Sequence, residues 1–156
     1  MIYEKPSRLM GANLFGAIQH ERYTDTCFAL SGADLRGMEH LLLRRGPDGA
    51  RLSPLLNGLI RKKIRMSCEL SSPLPKDIAA SGRLVTYVVE GESTRSGVLS
   101  MSTMPLNGTI PVGSLLGATL IGATRGQKIA LLHEDGEIGA VTLLEIHLLN
   151  DGPLTA

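Results

Sequence analysis

Hydrophobic positions between residues 31 and 45 recur at the spacing of an amphipathic helix. Ser31 and Asp34 open the segment as a capping box, in which the two side chains satisfy free N–H groups at a helix start. Arg44 and Arg45 close it, where positive charge complements the negative end of the helix dipole. These signals predict a first helix of about 13 residues, about 20 Å long. Its apolar face comprises Leu35, Met38 and Leu42.

A second amphipathic segment follows after a turn. Gly46-Pro47-Asp48-Gly49 has the composition of a turn, and Ser53-Pro54 supplies a cap and a proline at the first helical position. We expect the two helices to pack antiparallel along a shared apolar seam. On the second helix this seam comprises Leu56, Ile60, Ile64 and Cys68. The cations expected on its other, solvated faces are Arg61, Lys62, Lys63 and Arg65.

Beyond residue 80 the hydrophobic period changes to two, which is typical of strands. The first two segments flank a turn at residues 91–94, and the last two flank Glu134-Asp135-Gly136, which predicts two hairpins. Between the hairpins, residues 114–121 predict one short helix that Gly122 ends as a C-cap. The four predicted strands are Arg83–Val89, Arg95–Thr103, Gln127–His133 and Ile138–Leu148.

These patterns divide the chain into four parts. Residues 1–30 are an N-terminal extension, 31–70 a short antiparallel coiled-coil hairpin, 71–79 a stiff proline-containing linker, and 80–150 a C-terminal domain. A helical hairpin followed by a mostly antiparallel sheet with one short helix is an α+β fold.

Composition excludes several classes of protein. The chain has 43% hydrophobic and 20% charged residues, so it can bury a core, and with 3% aromatic residues that core must be aliphatic. No stretch approaches the roughly 18 to 20 apolar residues of a membrane span. Cys27 and Cys68 lie far apart without a CxxC pattern, which predicts reduced thiols in a cytoplasmic protein and no zinc site.

The net charge of +1 hides an asymmetry along the chain. Residues 31–68 carry eight basic against three acidic side chains, whereas residues 69–156 carry five basic against nine acidic. A basic front and an acidic back indicate two structural units with different surfaces.

Two glycines in the C-terminal half imitate a phosphate-binding loop. Gly117 and Gly122 are spaced as in G-x-x-x-x-G-K-[ST], but Ala123 follows where the lysine must stand to reach the phosphates. The G-x-G-x-x-G pattern is also absent. We therefore exclude a nucleotide loop and expect no cofactor.

The segment Ile110 to Ile129 resembles the signature of the C-terminal domain of the GreA/GreB transcription-factor family. Leu120-Ile121-Gly122 stands in the Leu-Leu-Gly place of the family and Arg125-Gly126-Gln127 in the Val-Gly-Gln place. Leu143 to Ile146 is similar to the closing strand. The short hairpin and the Pro73-Leu-Pro-Lys-Asp77 linker are most similar to Rnk-type regulators of nucleoside diphosphate kinase.

The resemblance covers about residues 31–148 and implies both a fold and a partner. Such proteins join an antiparallel coiled coil to an FKBP-like antiparallel sheet domain. They dock that domain at the secondary-channel entrance of bacterial RNA polymerase. The resemblance thus implies a cytoplasmic, non-enzymatic transcription regulator with RNA polymerase as its partner.

Two departures from the family pattern alter the expected activity. Cleavage-stimulating members carry two carboxylates at the tip of the coiled coil, which help to hold magnesium, whereas this tip has Asp48 alone among arginines. Gly113-Ser114-Leu115 replaces the acidic residue and Ser-Pro that contact polymerase. Ser114 could instead cap the short helix while its leucines pack inside. The residues predicted to bind the partner are Gly113, Ser114, Leu115, Leu116, Arg44, Arg45, Asp48 and Arg51.

Two other functions remain open from the sequence. The basic hairpin could bind nucleic acid directly, although it offers no stacking aromatic residues. The FKBP-like architecture could support prolyl isomerisation, but Tyr87 is the sole aromatic residue of the C-terminal domain. The four histidines are scattered and none lies beside a nucleophile in a catalytic motif, so we expect no catalytic residues and no metal site.

Overall fold

A computed structural model describes residues 28–44, 52–71, 73–102 and 106–149. Seven strands and three helices lie in these ranges, which confirms the predicted mixed α+β class. In chain order they are β1 (Phe28–Ser31), α1 (Gly32–Leu43), α2 (Pro54–Met66), β2 (Ser67–Leu70), β3 (Arg83–Val89), β4 (Thr94–Ser100), β5 (Thr109–Pro111), α3 (Leu115–Leu120), β6 (Lys128–Leu132) and β7 (Ile138–Leu148).

Both long helices begin where the capping signals predict. The Ser31 hydroxyl accepts a hydrogen bond from the Asp34 N–H at 3.0 Å, and the Ser53 hydroxyl accepts one from the Leu56 N–H at 3.3 Å. Pro54 occupies the first turn of α2. The turn predicted between the helices and residues 1–27 of the predicted extension 1–30 lie outside the described residues. Residues 28–30 are not part of an extension, because they belong to β1 and Leu30 is fully buried.

The end of α2 differs from the sequence pattern. The helix stops at Met66, so Cys68 lies in β2 and is exposed instead of extending the apolar seam. Residues of β2 pair in parallel with β1, with Ala29 opposite Cys68. The pair α1 and α2 is therefore bracketed by the two strands of a small sheet, one immediately before α1 and one immediately after α2.

The larger sheet has five strands in the order β5-β4-β3-β7-β6. The pairs β3–β4, β3–β7 and β6–β7 are antiparallel, which confirms both predicted hairpins, and β4–β5 is parallel. On β3 the buried positions alternate as the period of two requires. They are Val85, Tyr87 and Val89.

One hydrophobic cluster connects the helices to the large sheet. Met38 of α1 and Ile60 of α2 are fully buried in it, together with Leu99 and Leu143 of the sheet and Leu120 of α3. Since these aliphatic side chains pack on each other, the long helices are held against the same core that stabilises the sheet.

Backbone hydrogen bonds bring three segments together just after α3. The Ala29 N–H of β1 donates to the Gly122 carbonyl at 3.1 Å, and the Gly122 N–H donates to the Ala79 carbonyl at 2.8 Å. Gly122 has a φ of 85°, which glycine adopts without the strain that other residues meet. A Cβ there would also lie 3.2 Å from the Ala29 carbonyl oxygen. The predicted role of Gly122 in ending the short helix is confirmed.

Candidate functional site

The predicted partner-binding segment forms the start of α3. The Ser114 hydroxyl accepts a hydrogen bond from the Gly117 N–H at 3.0 Å and donates one to the Pro111 carbonyl at 2.7 Å. Ser114 therefore caps the helix, as one of the two sequence interpretations expects. Leu115 and Leu116 are half-buried and pack against the core, so each keeps part of its surface in solvent.

Gly117 fixes how closely α3 approaches the preceding strand. A Cβ on this residue would overlap the Pro111 carbonyl oxygen and lie 2.9 Å from the Val112 Cα. Only glycine lets the helix rest on that backbone. The position of the segment that begins at Ser114 thus depends on the absence of a side chain at Gly117.

The structure brings two of the predicted site residues to the same part of the surface. Arg44 ends α1, where its N–H donates to the carbonyls of His40 and Leu41, and its side chain is exposed. A Cβ on Gly113 would lie 3.7 Å from Leu41. Leu41 of α1 is therefore close to the residue that precedes the Ser114 cap of α3. Arg45, Asp48 and Arg51 lie outside the described residues.

A buried lysine supports the other end of α3. Lys63 of α2 is 4% exposed, and its Nζ donates to the carbonyls of Thr119 and Ile121 at 2.8 Å each. The same Nζ lies 3.6 Å from the centroid of the Phe28 ring. The ammonium thus satisfies carbonyls at the C-terminal end of a helix, where positive charge is favourable.

Burial lowers the pKa of Lys63 well below its usual value, because the ammonium loses its hydration inside the protein. The two carbonyls and the electron-rich face of Phe28 stabilise the charged form and oppose that shift. Lys63 is therefore a positioning residue that joins α2 and β1 to the helix carrying the predicted contact residues.

The expectation that all four cations of α2 lie on solvated faces is wrong for Lys63. Leu56 and Ile60 are also buried, and Lys63 continues their spacing along the helix. The spacing alone indicates that Lys63 lies on the buried face of α2. Its charge indicates an exposed position instead, because lysine is rarely buried without partners.

Asp34 anchors the beginning of α1 to the turn that precedes β3. Its carboxyl group is buried, and Oδ2 accepts a hydrogen bond from the Ser81 N–H at 3.1 Å. Burial raises the pKa of Asp34, while the Ser81 hydrogen bond and the positive charge of Arg83 partly oppose that rise. The charged carboxylate therefore costs the folded state free energy at neutral pH.

Asp34→Asn tests this cost through the pH dependence of stability. The folded protein binds more protons than the unfolded chain between pH 3.8 and the raised pKa, so the free energy of unfolding of the wild type falls as the pH rises through that window. The variant keeps an oxygen to accept from Ser81 but does not titrate, so the fall disappears. Urea unfolding across acidic pH measures the difference. A change of the same size in Glu39→Gln, an exposed control on α1, would contradict the assignment.

No helix within the described ranges is both long and apolar enough to cross a membrane. In the same part of the chain, no three histidine, cysteine or acidic side chains are grouped as metal ligands. The candidate site therefore consists of the capped start of α3 at Ser114 and the exposed Arg44 at the end of α1.

The fold is similar to that of a solved transcription elongation factor. A solved prokaryotic transcription elongation factor GreA/GreB from Nitrosomonas europaea matches with a TM-score of 0.54 and 17% identity, over 77% of this chain and 97% of that one. Gfh1 from Thermus aquaticus matches at a TM-score of 0.39 and 14% identity, over 86% and 91%. GreA factor homolog 1 (Gfh1) of Thermus thermophilus matches at 0.38 and 16%, over 77% and 98%. Neither the models of known protein families nor the curated proteins give a match.

Proposed function

We propose that this chain is a non-catalytic regulator that binds bacterial RNA polymerase near its secondary channel. The observation that carries the proposal is the match of fold to the GreA/GreB elongation factor over nearly the whole of that protein. The segment whose residues resemble the family signature contains a capped helix, α3, of which Leu115 and Leu116 are partly exposed and the other four residues are buried. In this proposal, the exposed parts of Leu115 and Leu116 contact the polymerase, and the predicted tip at Arg44 to Arg51 faces the channel.

The regulator is proposed not to stimulate transcript cleavage. Asp48 is the sole carboxylate among the arginines of the predicted tip, whereas the cleavage-stimulating members of the family that the sequence resembles carry two carboxylates there, which help to hold magnesium. At 12 residues, α1 spans about 18 Å, which suits the mouth of a channel better than its depth. The short helices and the linker at Pro73 to Asp77 support a further similarity to Rnk-type regulators.

A binding titration tests the proposal directly. Labelled protein is added to bacterial core RNA polymerase, and a cleavage factor is then added as a competitor. We expect saturable binding that the competitor displaces. Arg44→Ala should weaken the binding to polymerase several-fold, because a charge at the edge of an interface raises the association rate and helps to fix the register of the two partners. Lys128→Ala is the matched control, since Lys128 is an exposed cation on β6, at the edge of the large sheet.

The absence of saturable binding at tens of micromolar would contradict the polymerase proposal, as would binding that the competitor leaves unchanged. A transcript-cleavage assay on stalled complexes is the companion measurement. Cleavage above the level of polymerase alone would contradict the non-catalytic part of the proposal.

Direct nucleic-acid binding is the second candidate function. Arg61, Lys62 and Arg65 are exposed on α2, so a basic face is available for phosphates even though Lys63 points inward. This function predicts oligonucleotide binding that weakens steeply with salt. Prolyl isomerisation has less support, because Tyr87, the sole aromatic residue of residues 80–150, is 6% exposed and packs in the core.

A further inference from the structure

One face of α1 carries a row of three exposed basic side chains, Arg36, His40 and Arg44. They are spaced four residues apart, so successive members lie about 6 Å from each other along the helix. Among the residues that the structure describes, the ion pairs are Glu92 with Arg95 and Arg125 with Glu145, and neither involves this row. Arg36 and Arg44 are therefore positive charges without a direct ion pair to a described carboxylate, and the His40 imidazole between them can donate a hydrogen bond. The Glu69 carboxylate of β2 approaches Arg36, since a Cβ on Gly32 would lie 2.7 Å from Glu69 Oε2 and 3.4 Å from Arg36 Nη1.

Beside the basic row lies an open groove of about 330 Å³ with an apolar floor. Gly37, Leu41 and Met101 line the floor, while the three basic side chains line the rim. A Cβ on Gly37 would lie 3.0 Å from the Met101 sulfur, so the glycine lets this methionine lie flat on α1. Methionine is flexible and polarisable, and it adapts to apolar side chains of different shapes.

We propose that this groove binds an acidic peptide segment of a partner protein, with carboxylates on the basic row and an apolar side chain on Met101 and Leu41. A helix laid along α1 with an acidic residue at every fourth position repeats its charges at the same interval of about 6 Å, so three turns can pair in register. Helices that dock in grooves commonly anchor one apolar face in this way.

The floor favours a peptide over nucleic acid. Proteins that bind single strands place aromatic side chains under the bases, whereas the lining residues of this groove include no phenylalanine, tyrosine or tryptophan. Leu41 also lies beside Gly113, one of the residues predicted to bind the partner, since a Cβ there would be 3.7 Å from the leucine, so the groove adjoins the surface proposed to bind polymerase. The inference rests on the proposed function because Arg44 belongs both to the groove and to the surface proposed to bind polymerase. The experiment that tests the groove contains no polymerase.

The probe is a fluorescently labelled helical peptide with glutamate at every fourth position and leucine beside each glutamate. Its matched control has glutamine in place of every glutamate. Anisotropy titrations with the full chain should show saturable binding of the acidic peptide and roughly tenfold weaker binding by the double variant Arg36→Ala/Arg44→Ala. The double variant Lys62→Ala/Arg65→Ala removes the same charge from exposed positions of α2 and should bind as the wild type does.

Two variants at Met101 separate the groove from general electrostatics. Met101→Glu places a carboxylate on the floor and should abolish binding by repulsion, whereas Met101→Leu should preserve it. Equal affinity for the glutamine peptide, or equal losses in the two double variants, would overturn the proposal. The proposal would also be overturned if oligouridylate displaced the labelled peptide at lower concentrations than unlabelled acidic peptide does. That result would assign the groove to nucleic acid.

The peptide titration and the polymerase titration test the two proposals independently of each other. Peptide binding without polymerase binding would keep the acidic-peptide site and reject the polymerase partner. Polymerase binding that is intact while the acidic peptide fails to bind would overturn this inference and leave the proposed function standing.

Discussion

Gly117→Ala is expected to lower the free energy of unfolding by about 3 kcal/mol, because the new methyl group meets backbone and not a side chain that could rotate away. It would overlap the Pro111 carbonyl oxygen and lie 2.9 Å from the Val112 Cα. To make room, α3 has to move off β5. That movement would also displace Ser114, whose hydroxyl donates to the same Pro111 carbonyl.

Gly58→Ala is the matched control for Gly117→Ala. Gly58 also lies in a helix, α2, but a Cβ there would meet nothing within 4 Å. Alanine favours the helical state over glycine by roughly 0.5 to 1 kcal/mol, so this substitution should stabilise the protein slightly. Urea unfolding followed by circular dichroism measures both variants. Similar small effects at the two positions would contradict the described contact between α3 and β5.

Lys63→Ala is expected to cost about 3 to 5 kcal/mol of stability, since it leaves a cavity and deprives two carbonyls of their donor. The carbonyls are those of Thr119 and Ile121, at the end of α3. Lys63→Met keeps most of the apolar stem and removes only the amine, so it should cost less, about 1 to 3 kcal/mol. Lys62→Ala, at the exposed neighbouring position, is the control and should change stability little.

The pH dependence of the Lys63 variants supplies an independent readout. The pKa of Lys63 is lower in the folded protein than its ordinary value of 10.5, so the unfolded chain holds more protons in the window below that value. The stability of the wild type relative to Lys63→Met therefore rises as the pH increases through this window. A difference that stays constant, or falls, would contradict the burial of the amine.

The parts of the fold that the sequence predicts are those set by local chemistry. Ser31 and Ser53 each precede an apolar periodic segment, and both hydroxyls cap their helices as expected. The second half of the predicted capping box does not form, because the Asp34 carboxylate accepts from the distant Ser81 N–H instead of from the helix start. The alternation in Arg83–Val89 predicts a strand with the same boundaries as β3. The turn after β6 is equally local, and it joins two strands that pair with each other.

The parts that the sequence does not predict depend on contacts between distant residues. The parallel pairing of β1 with β2 joins segments of four residues each across the whole of α1 and α2. The burial pattern of β2 does not alternate, and that of β1 alternates over four residues only, too few to indicate a strand from the sequence. The burial of Lys63 depends on carbonyls 56 and 58 residues along the chain. Composition and spacing carry no direct information about such partners.

The parallel pairing of β1 and β2 limits how this architecture can vary. Parallel neighbours cannot be joined by a tight turn, and here α1 and α2 together are the connection between them. The two helices cannot be exchanged independently of the domain, because Met38 and Ile60 lie in the core and Lys63 of α2 holds the end of α3. Removing both helices would separate β1 from β2 and leave the Thr119 and Ile121 carbonyls without this donor. Changes of length in this architecture are therefore expected beyond Leu43 and before Pro54, at the ends of the two helices that lie away from the small sheet.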